Sequence, residues 1–62
     1  MKVRFTYWNL EYLNEFMANY RRMKKVQSAE QVSKDEIIVT FKKGTTYEYI
    51  KDAAVNATIT LA

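Results

Sequence analysis

A chain of 62 residues, 48% of them hydrophobic and 15% aromatic, has room for one small folded domain over residues 1–62. It contains neither cysteine nor histidine, which excludes disulfides, thiolate metal sites and nucleophilic catalysis that depends on a histidine base. Ten basic against seven acidic residues give a net charge of +3, which suits an ordinary soluble domain or a nucleic-acid binder and argues against an acidic mimic of DNA.

The opening residues, MKVRFTYW, lack the apolar run of a signal peptide. No stretch approaches the ~18 consecutive apolar residues of a membrane-spanning helix. We therefore expect a cytoplasmic protein that makes no contact with a membrane. Neither a metal ion nor another cofactor is expected.

The first half of the chain predicts a strand followed by a helix. Residues 2–8 alternate between apolar and polar side chains, which is typical of a half-buried strand. Asn9 is a favoured helix N-cap residue. Apolar residues then recur at spacings of three and four over residues 10–23, which predicts an amphipathic helix of about four turns. The inward residues of the strand are Val3, Phe5 and Tyr7.

The second half predicts further strands. Residues 26–32 give a weak strand pattern, residues 33–36 a turn, and EIIVTF a strong strand. TTYEYI (45–50) would form a hairpin with that strand through a three-residue loop, Lys42-Lys43-Gly44, in which glycine takes the left-handed position. This register would place on one face Ile37, Val39, Phe41, Tyr47 and Tyr49.

The tail allows two interpretations. Residues 55–61 alternate and favour a strand, whereas residues 51–57 could instead form one helical turn before a short extended end. With the strand, the element order is β-α-β-β-β-β. We therefore expect an α+β fold in which one antiparallel sheet carries a single amphipathic helix on one face.

Catalysis has little support in this composition. Two carboxylate pairs are present, Glu11 with Glu15 and Asp35 with Glu36. The first pair points away from the apolar stripe of the helix and the second lies in a predicted turn. Because a catalytic pair needs burial or a shared cleft to separate its two pKa values, we do not expect an enzyme.

A first functional hypothesis is a protein-binding module of the inhibitor or adaptor type. The hairpin face opposite the helix and the uncharged tail window, VNATITL, would expose apolar groups suited to strand addition or to a second copy of the chain. We therefore expect a protein partner and a homo-oligomer, with a dimer favoured. The candidate partner-binding residues are Ile38, Thr40, Glu48, Ile50, Ile59 and Trp8.

A second hypothesis is a basic nucleic-acid-binding domain, or a small oligomer that binds an anionic nucleotide. On a helical projection the cations of NYRRMKKVQ (19–27) fan over almost half the circumference, and Lys24 falls toward the apolar stripe or marks the end of the helix. The cations would serve an anion only if they meet others in space. The candidate anion-binding residues are Lys2, Arg4, Arg21, Arg22, Lys25, Lys42 and Lys43.

Overall fold

The computed structural model describes residues 1–62 and contains four strands and two α-helices. In chain order the elements are β1 (Lys2–Tyr7), α1 (Leu10–Asn19), a 3₁₀ turn (Tyr20–Arg22), β2 (Val26–Gln31), β3 (Glu36–Phe41), α2 (Tyr47–Ala53) and β4 (Ala57–Leu61). This β-α-β-β-α-β order is that of the ferredoxin-like, split βαβ arrangement.

The four strands form one antiparallel sheet in the order β2-β3-β1-β4, so that β1 and β3 lie at its centre. The predicted α+β architecture with a single antiparallel sheet is therefore confirmed. No helix is long and apolar enough to cross a membrane.

The core lies between the inner face of the two central strands and the helices. The inward side chains of β1 and β3 are all at most 4% exposed. Phe5 contacts Phe16 of α1 edge to face, with ring centroids 5.5 Å apart, and Phe41 contacts Tyr49 of α2 at 6.3 Å. The predicted inner faces of both strands are thus confirmed. Their residues are Val3, Phe5, Tyr7, Ile37, Val39 and Phe41.

Helix α1 begins and ends for local reasons. The side chain of Asn9 accepts a hydrogen bond from the Glu11 N–H over 2.9 Å, as expected of an N-cap residue. The helix ends at Asn19 and tightens into the 3₁₀ turn, after which Lys24 and Lys25 lie in a turn before β2. Lys24 therefore follows the end of the helix. This agrees with the second of the two interpretations of the sequence, in which Lys24 marks the place where the helix ends.

The predicted strand over residues 45–50 is wrong, and with it the predicted hairpin through residues 42–44. Most of this segment belongs to α2. The Thr46 hydroxyl oxygen caps α2 by accepting from the Tyr49 N–H over 3.2 Å, and Ile50 and Ala54, one turn apart, are both buried. A strand would have buried Tyr47, but in the helix this side chain is 66% exposed. Gly44 does take the left-handed conformation, at φ 86°, in the turn between β3 and α2.

The tail forms the strand that the alternation favoured. β4 (Ala57–Leu61) pairs with β1 in antiparallel register, with Ile59 opposite Phe5. Asn56 precedes it at φ 57°, a left-handed conformation that asparagine tolerates better than most residues. The helical alternative was partly right as well, because residues 51–53 are the last residues of α2.

Candidate functional site at the basic end of the sheet

Two lysine pairs that are distant in the sequence meet at one end of the sheet. Lys24 and Lys25 directly precede β2, and Lys42 and Lys43 directly follow β3. Because β2 and β3 are antiparallel, the start of one lies beside the end of the other. The Lys42 N–H donates a hydrogen bond to the Lys25 carbonyl oxygen over 2.8 Å, which fixes this proximity.

Strand β1 brings a further cation to the same end. The Phe41 N–H donates to the Met1 carbonyl oxygen over 2.8 Å, and Lys2 lies opposite Thr40. The 3₁₀ turn that packs against β2 contributes two arginines. We call this group the basic end, and all its members are exposed. Its residues are Lys2, Arg21, Arg22, Lys24, Lys25, Lys42 and Lys43.

The basic end has no acidic residue in the two longer segments that build it. Residues 16–29 and 37–47 contain neither aspartate nor glutamate. Asp35 and Glu36 lie at the opposite end of β3, roughly 17 Å away along the strand. That separation is about twice the Debye length of ~8 Å at physiological ionic strength, so these carboxylates do not screen the cluster. Glu48, in the first turn of α2, is the acidic residue nearest along the chain to the Lys42–Lys43 turn.

None of the side chains of the basic end forms an ion pair within the chain. The single ion pair joins Arg4 to Glu36 over 3.6 Å, on the sheet face away from the helices. Arg21 instead stacks its guanidinium on the Tyr20 ring, with 4.8 Å to the centroid. Arg4 was predicted to bind an anion with the others. It lies on that outer face two residues along β1 from Lys2, and it is paired with a carboxylate.

An exposed aromatic residue follows the second lysine pair in the chain. Tyr47 opens α2, four residues after Lys43, and is 66% exposed. The Thr45 hydroxyl donates to the Lys42 carbonyl oxygen over 2.6 Å, which holds the start of α2 against the lysine turn. The sequence interpretation missed Tyr47 because it assigned this residue to a core strand. Thr46 as a helix cap, followed by the acidic Glu48, was the signal that could have located it.

The six predicted partner-binding residues do not form one surface. Ile50 is only 2% exposed and belongs to the core, so its assignment to an exposed sheet face is wrong. Glu48 is exposed on α2, and Ile59 is half-buried opposite the inward Phe5. Both therefore lie on the helix-covered side of the sheet.

The remaining three lie elsewhere. Ile38 and Thr40 are half-buried on the outer sheet face, where Ile38 lies between Arg4 and Glu30 in the strand register. Trp8 is 72% exposed, and its indole N–H donates to the Thr58 hydroxyl oxygen over 3.2 Å. The outer face is thus a mixture of charged, polar and aliphatic groups, without an extended apolar patch.

The tail window no longer requires a second copy of the chain to pair it. β4 forms its ladder with β1 on one side, and its other side is an edge of the sheet. Leu61, near the end of this strand, is 82% exposed. The homo-oligomer stays a prediction.

Comparison with protein-family models, with curated proteins and with solved structures found no match for this chain.

Proposed function

We propose that this protein is a cytoplasmic nucleic-acid-binding domain that holds the phosphate backbone at its basic end. The observation that carries the proposal is the hydrogen-bonded contact between Lys25 and Lys42. It joins two lysine pairs in a part of the chain that supplies few acidic groups to neutralise them. Exposed lysine and arginine side chains of this kind bind phosphates electrostatically and with little regard for base sequence.

The shape of the basic end favours a polymer over a mononucleotide. A nucleotide site is normally a concave pocket that encloses the base. The one cavity of the chain lies between the helices, and none of the seven cations lines it. An open surface of exposed side chains instead suits contact with several successive phosphates.

Tyr47 favours a single strand over a duplex. Proteins that bind single-stranded nucleic acid combine a positive surface with aromatic rings on which unpaired bases stack. Tyr47, whose ring is exposed and which follows Lys43 by four residues, would supply this combination. A duplex, whose bases are already stacked, gains nothing from the ring.

The outer sheet face contributes Lys2 to the basic end, but the central strands supply it with no ring for base stacking. Split βαβ domains that bind RNA through their sheet stack bases on aromatic residues of the strands. Here the outward positions of the two central strands carry no aromatic residue, and two of their charges cancel in the Arg4–Glu36 ion pair. The central strands therefore lack the stacking aromatics of that binding mode, and the exposed ring near this face is that of Trp8, hydrogen-bonded to Thr58.

A protein-binding role keeps one specific support, which is the edge of β4. Its outer side has no strand partner within the chain, and the exposed Leu61 offers an apolar anchor for an added strand. We rank this role second, since two of the predicted apolar contact residues, Ile50 and Ile59, face the helix-covered side.

The test is a salt series of oligonucleotide binding, measured by fluorescence anisotropy with a labelled single strand and the matching duplex. We expect tighter binding of the single strand, and a logarithm of the binding constant that falls linearly with the logarithm of the salt concentration. The double variant K25Q/K42Q should weaken binding and reduce the slope of that line by about 1.4, at ~0.7 per lost phosphate contact on a single strand.

The matched control is K34Q/K51Q, which removes the same amount of charge from exposed lysines outside the basic end. Lys34 lies in the turn at the other end of the sheet and Lys51 lies on α2. We expect this control to bind nearly as the unchanged protein does. If both double variants lose the same binding affinity, the loss reflects net charge and not the position of the lysines, which contradicts the proposal. Absence of binding at low salt would also contradict it.

A further inference from the structure

Strand β4 lies at the edge of the sheet and leaves one side of its backbone unpaired. At its start, the Trp8 N–H donates to the Asn56 carbonyl oxygen over 3.0 Å. At its end, the Ala62 N–H donates to the Lys2 carbonyl oxygen over 3.2 Å. Because successive residues of a strand turn their backbone groups to opposite sides, the even-numbered residues of β4 bond to β1. The odd-numbered residues therefore direct their N–H and C=O groups away from the sheet. They are Ala57, Ile59 and Leu61.

The two edges of the sheet differ in their protection against an added strand. β2 has a bulge between Val26 and Ser28 and carries the charged Glu30. Bulges and charges are devices that keep an edge strand from pairing with another chain. β4 pairs with β1 without a shift in register, and residues 55–61 contain neither a charged residue nor proline. The β4 edge is therefore open to a further strand.

The side chains of β4 complement a second copy of the same strand. On the helix-covered side Ile59 is half-buried and Leu61 is 82% exposed. Val55, which is 52% exposed, lines the cavity between the helices. Thr58 and Thr60 are exposed on the outer face. An antiparallel copy centred on Ile59 places apolar side chains opposite apolar ones and threonine opposite threonine.

We propose that two copies of this chain join edge to edge through β4, with a twofold axis at Ile59. Ile59 then faces its own counterpart and exchanges both backbone hydrogen bonds with it, and Ala57 of each copy faces Leu61 of the other. On the outer face the threonine pairs stabilise the two antiparallel strands. Leu61 of one copy also comes diagonally within reach of Val55 in the other, so the contact covers both exposed apolar side chains.

This contact is small and separate from the basic end. Its ladder spans five residues, about 17 Å. It falls below the ~1,200 Å² of a standard protein–protein interface, so the dimer is weak and dissociates on dilution. The twofold axis places the two basic ends at opposite ends of the joined sheet, and their side chains take no part in the contact. The inference therefore stands or falls independently of nucleic-acid binding.

The absence of cysteine from the chain allows a test by disulfide trapping. The variants Ile59→Cys and Leu61→Cys are incubated in a glutathione redox buffer, and covalent dimer is measured by non-reducing electrophoresis. Facing residues of a hydrogen-bonded pair have Cα atoms ~5.5 Å apart, within disulfide reach. The two copies of position 61 are instead about 14 Å apart along the strands. We expect covalent dimer from Ile59→Cys and almost none from Leu61→Cys. The reverse order, which random collision of the more exposed thiol would give, would overturn the proposal.

Sedimentation equilibrium tests the dimer without a cross-link. Over micromolar to millimolar concentrations the mass of the unchanged protein should rise from that of the monomer toward twice that value. Leu61→Pro removes an outward N–H and should abolish this rise. The matched control is Gln31→Pro at the β2 edge. The Val32 N–H bonds to the Glu36 carbonyl oxygen within the sheet, so that of the preceding Gln31 points outward.

The control variant should dimerise as the unchanged protein does. A monomer mass of the unchanged protein at every concentration would overturn the proposal and leave the β4 edge to a strand of another protein. Dimerisation of Leu61→Pro equal to that of the control would overturn it as well, because the contact would then lie elsewhere.

Discussion

The backbone N–H of Lys42 lies 2.8 Å from the carbonyl oxygen of Lys25, and this hydrogen bond ends the β2–β3 ladder with cations on both strands. Like charges on neighbouring strands repel each other and destabilise a sheet. A domain of this size has only a small margin of stability, roughly 3–5 kcal/mol from its core. The clustering of lysines at the basic end therefore lowers the free energy of unfolding, and the stability of the fold does not account for it.

The first prediction follows from this repulsion. In K25Q/K42Q the free energy of unfolding should rise by about 0.5 kcal/mol at low salt, because two mutually repelling charges are removed. At 0.5 M salt the gain should vanish through screening. Urea unfolding at both salt concentrations measures the change, with K34Q/K51Q as the control. A loss of stability at low salt would instead show that the lysine side chains stabilise the fold.

The second prediction concerns Tyr47. Replacing it with alanine should weaken the binding of a single strand about tenfold, within the range of 1–3 kcal/mol that one stacked base contributes. Duplex binding should hardly change. Tyr47→Phe keeps the ring and should retain full affinity for the single strand. If alanine and phenylalanine weaken binding equally, the ring does not stack and Tyr47 acts through its hydroxyl alone.

The third prediction compares two isoleucines that the sequence placed on the same exposed face. Ile50→Val should lower the free energy of unfolding by about 1 kcal/mol, because a buried methylene is lost from the core. Ile38→Val, at a half-buried site on the outer face, should change it by less. Urea unfolding of the two variants gives the comparison. Equal changes would contradict the placement of α2 against the sheet.

The sequence predicted the segments in which apolar residues recur with a single, strict period. β1 and β3 alternate with period two, and they were predicted to within one residue of their observed bounds. α1 repeats at three and four and its start was predicted correctly, but the predicted helix over residues 10–23 runs four residues past the observed end at Asn19. Residues 45–50 fail because their threonines and tyrosines have strand propensity and also alternate. There the burial of Ile50 and Ala54 one turn apart, together with the Thr46 cap, outweighs local propensity.

The candidate site was predictable to a smaller extent. The cations themselves could be identified from the sequence, and the short turn between β2 and β3 already implied that Lys25 and Lys42 would meet. The position of Lys2 at the basic end could not be deduced from the sequence, because it depends on β3 lying between β2 and β1. The pairing of Arg4 with Glu36 depends on the same strand order.

The last prediction concerns the pH dependence of stability. Burial raises the pKa of Tyr7 from 10.0 to about 12, because the folded state disfavours the charged phenolate. Between those two values the unfolded chain releases the proton more readily than the folded one. The free energy of unfolding must therefore fall as the pH rises from 10 to 12, with the full contribution of Tyr7 present below pH 10.

The Tyr7→Phe variant lacks the titrating group, so its free energy of unfolding should fall less over that interval than that of the unchanged protein. Between pH 7 and 9 the free energies of unfolding of the two proteins should change with pH in the same way. Thermal unfolding at half-unit steps of pH measures the difference. Tyr47→Phe is the matched control, because its ring is exposed, and it should follow the unchanged protein. Parallel curves for all three proteins up to pH 12 would mean that the Tyr7 hydroxyl is not held in an apolar environment.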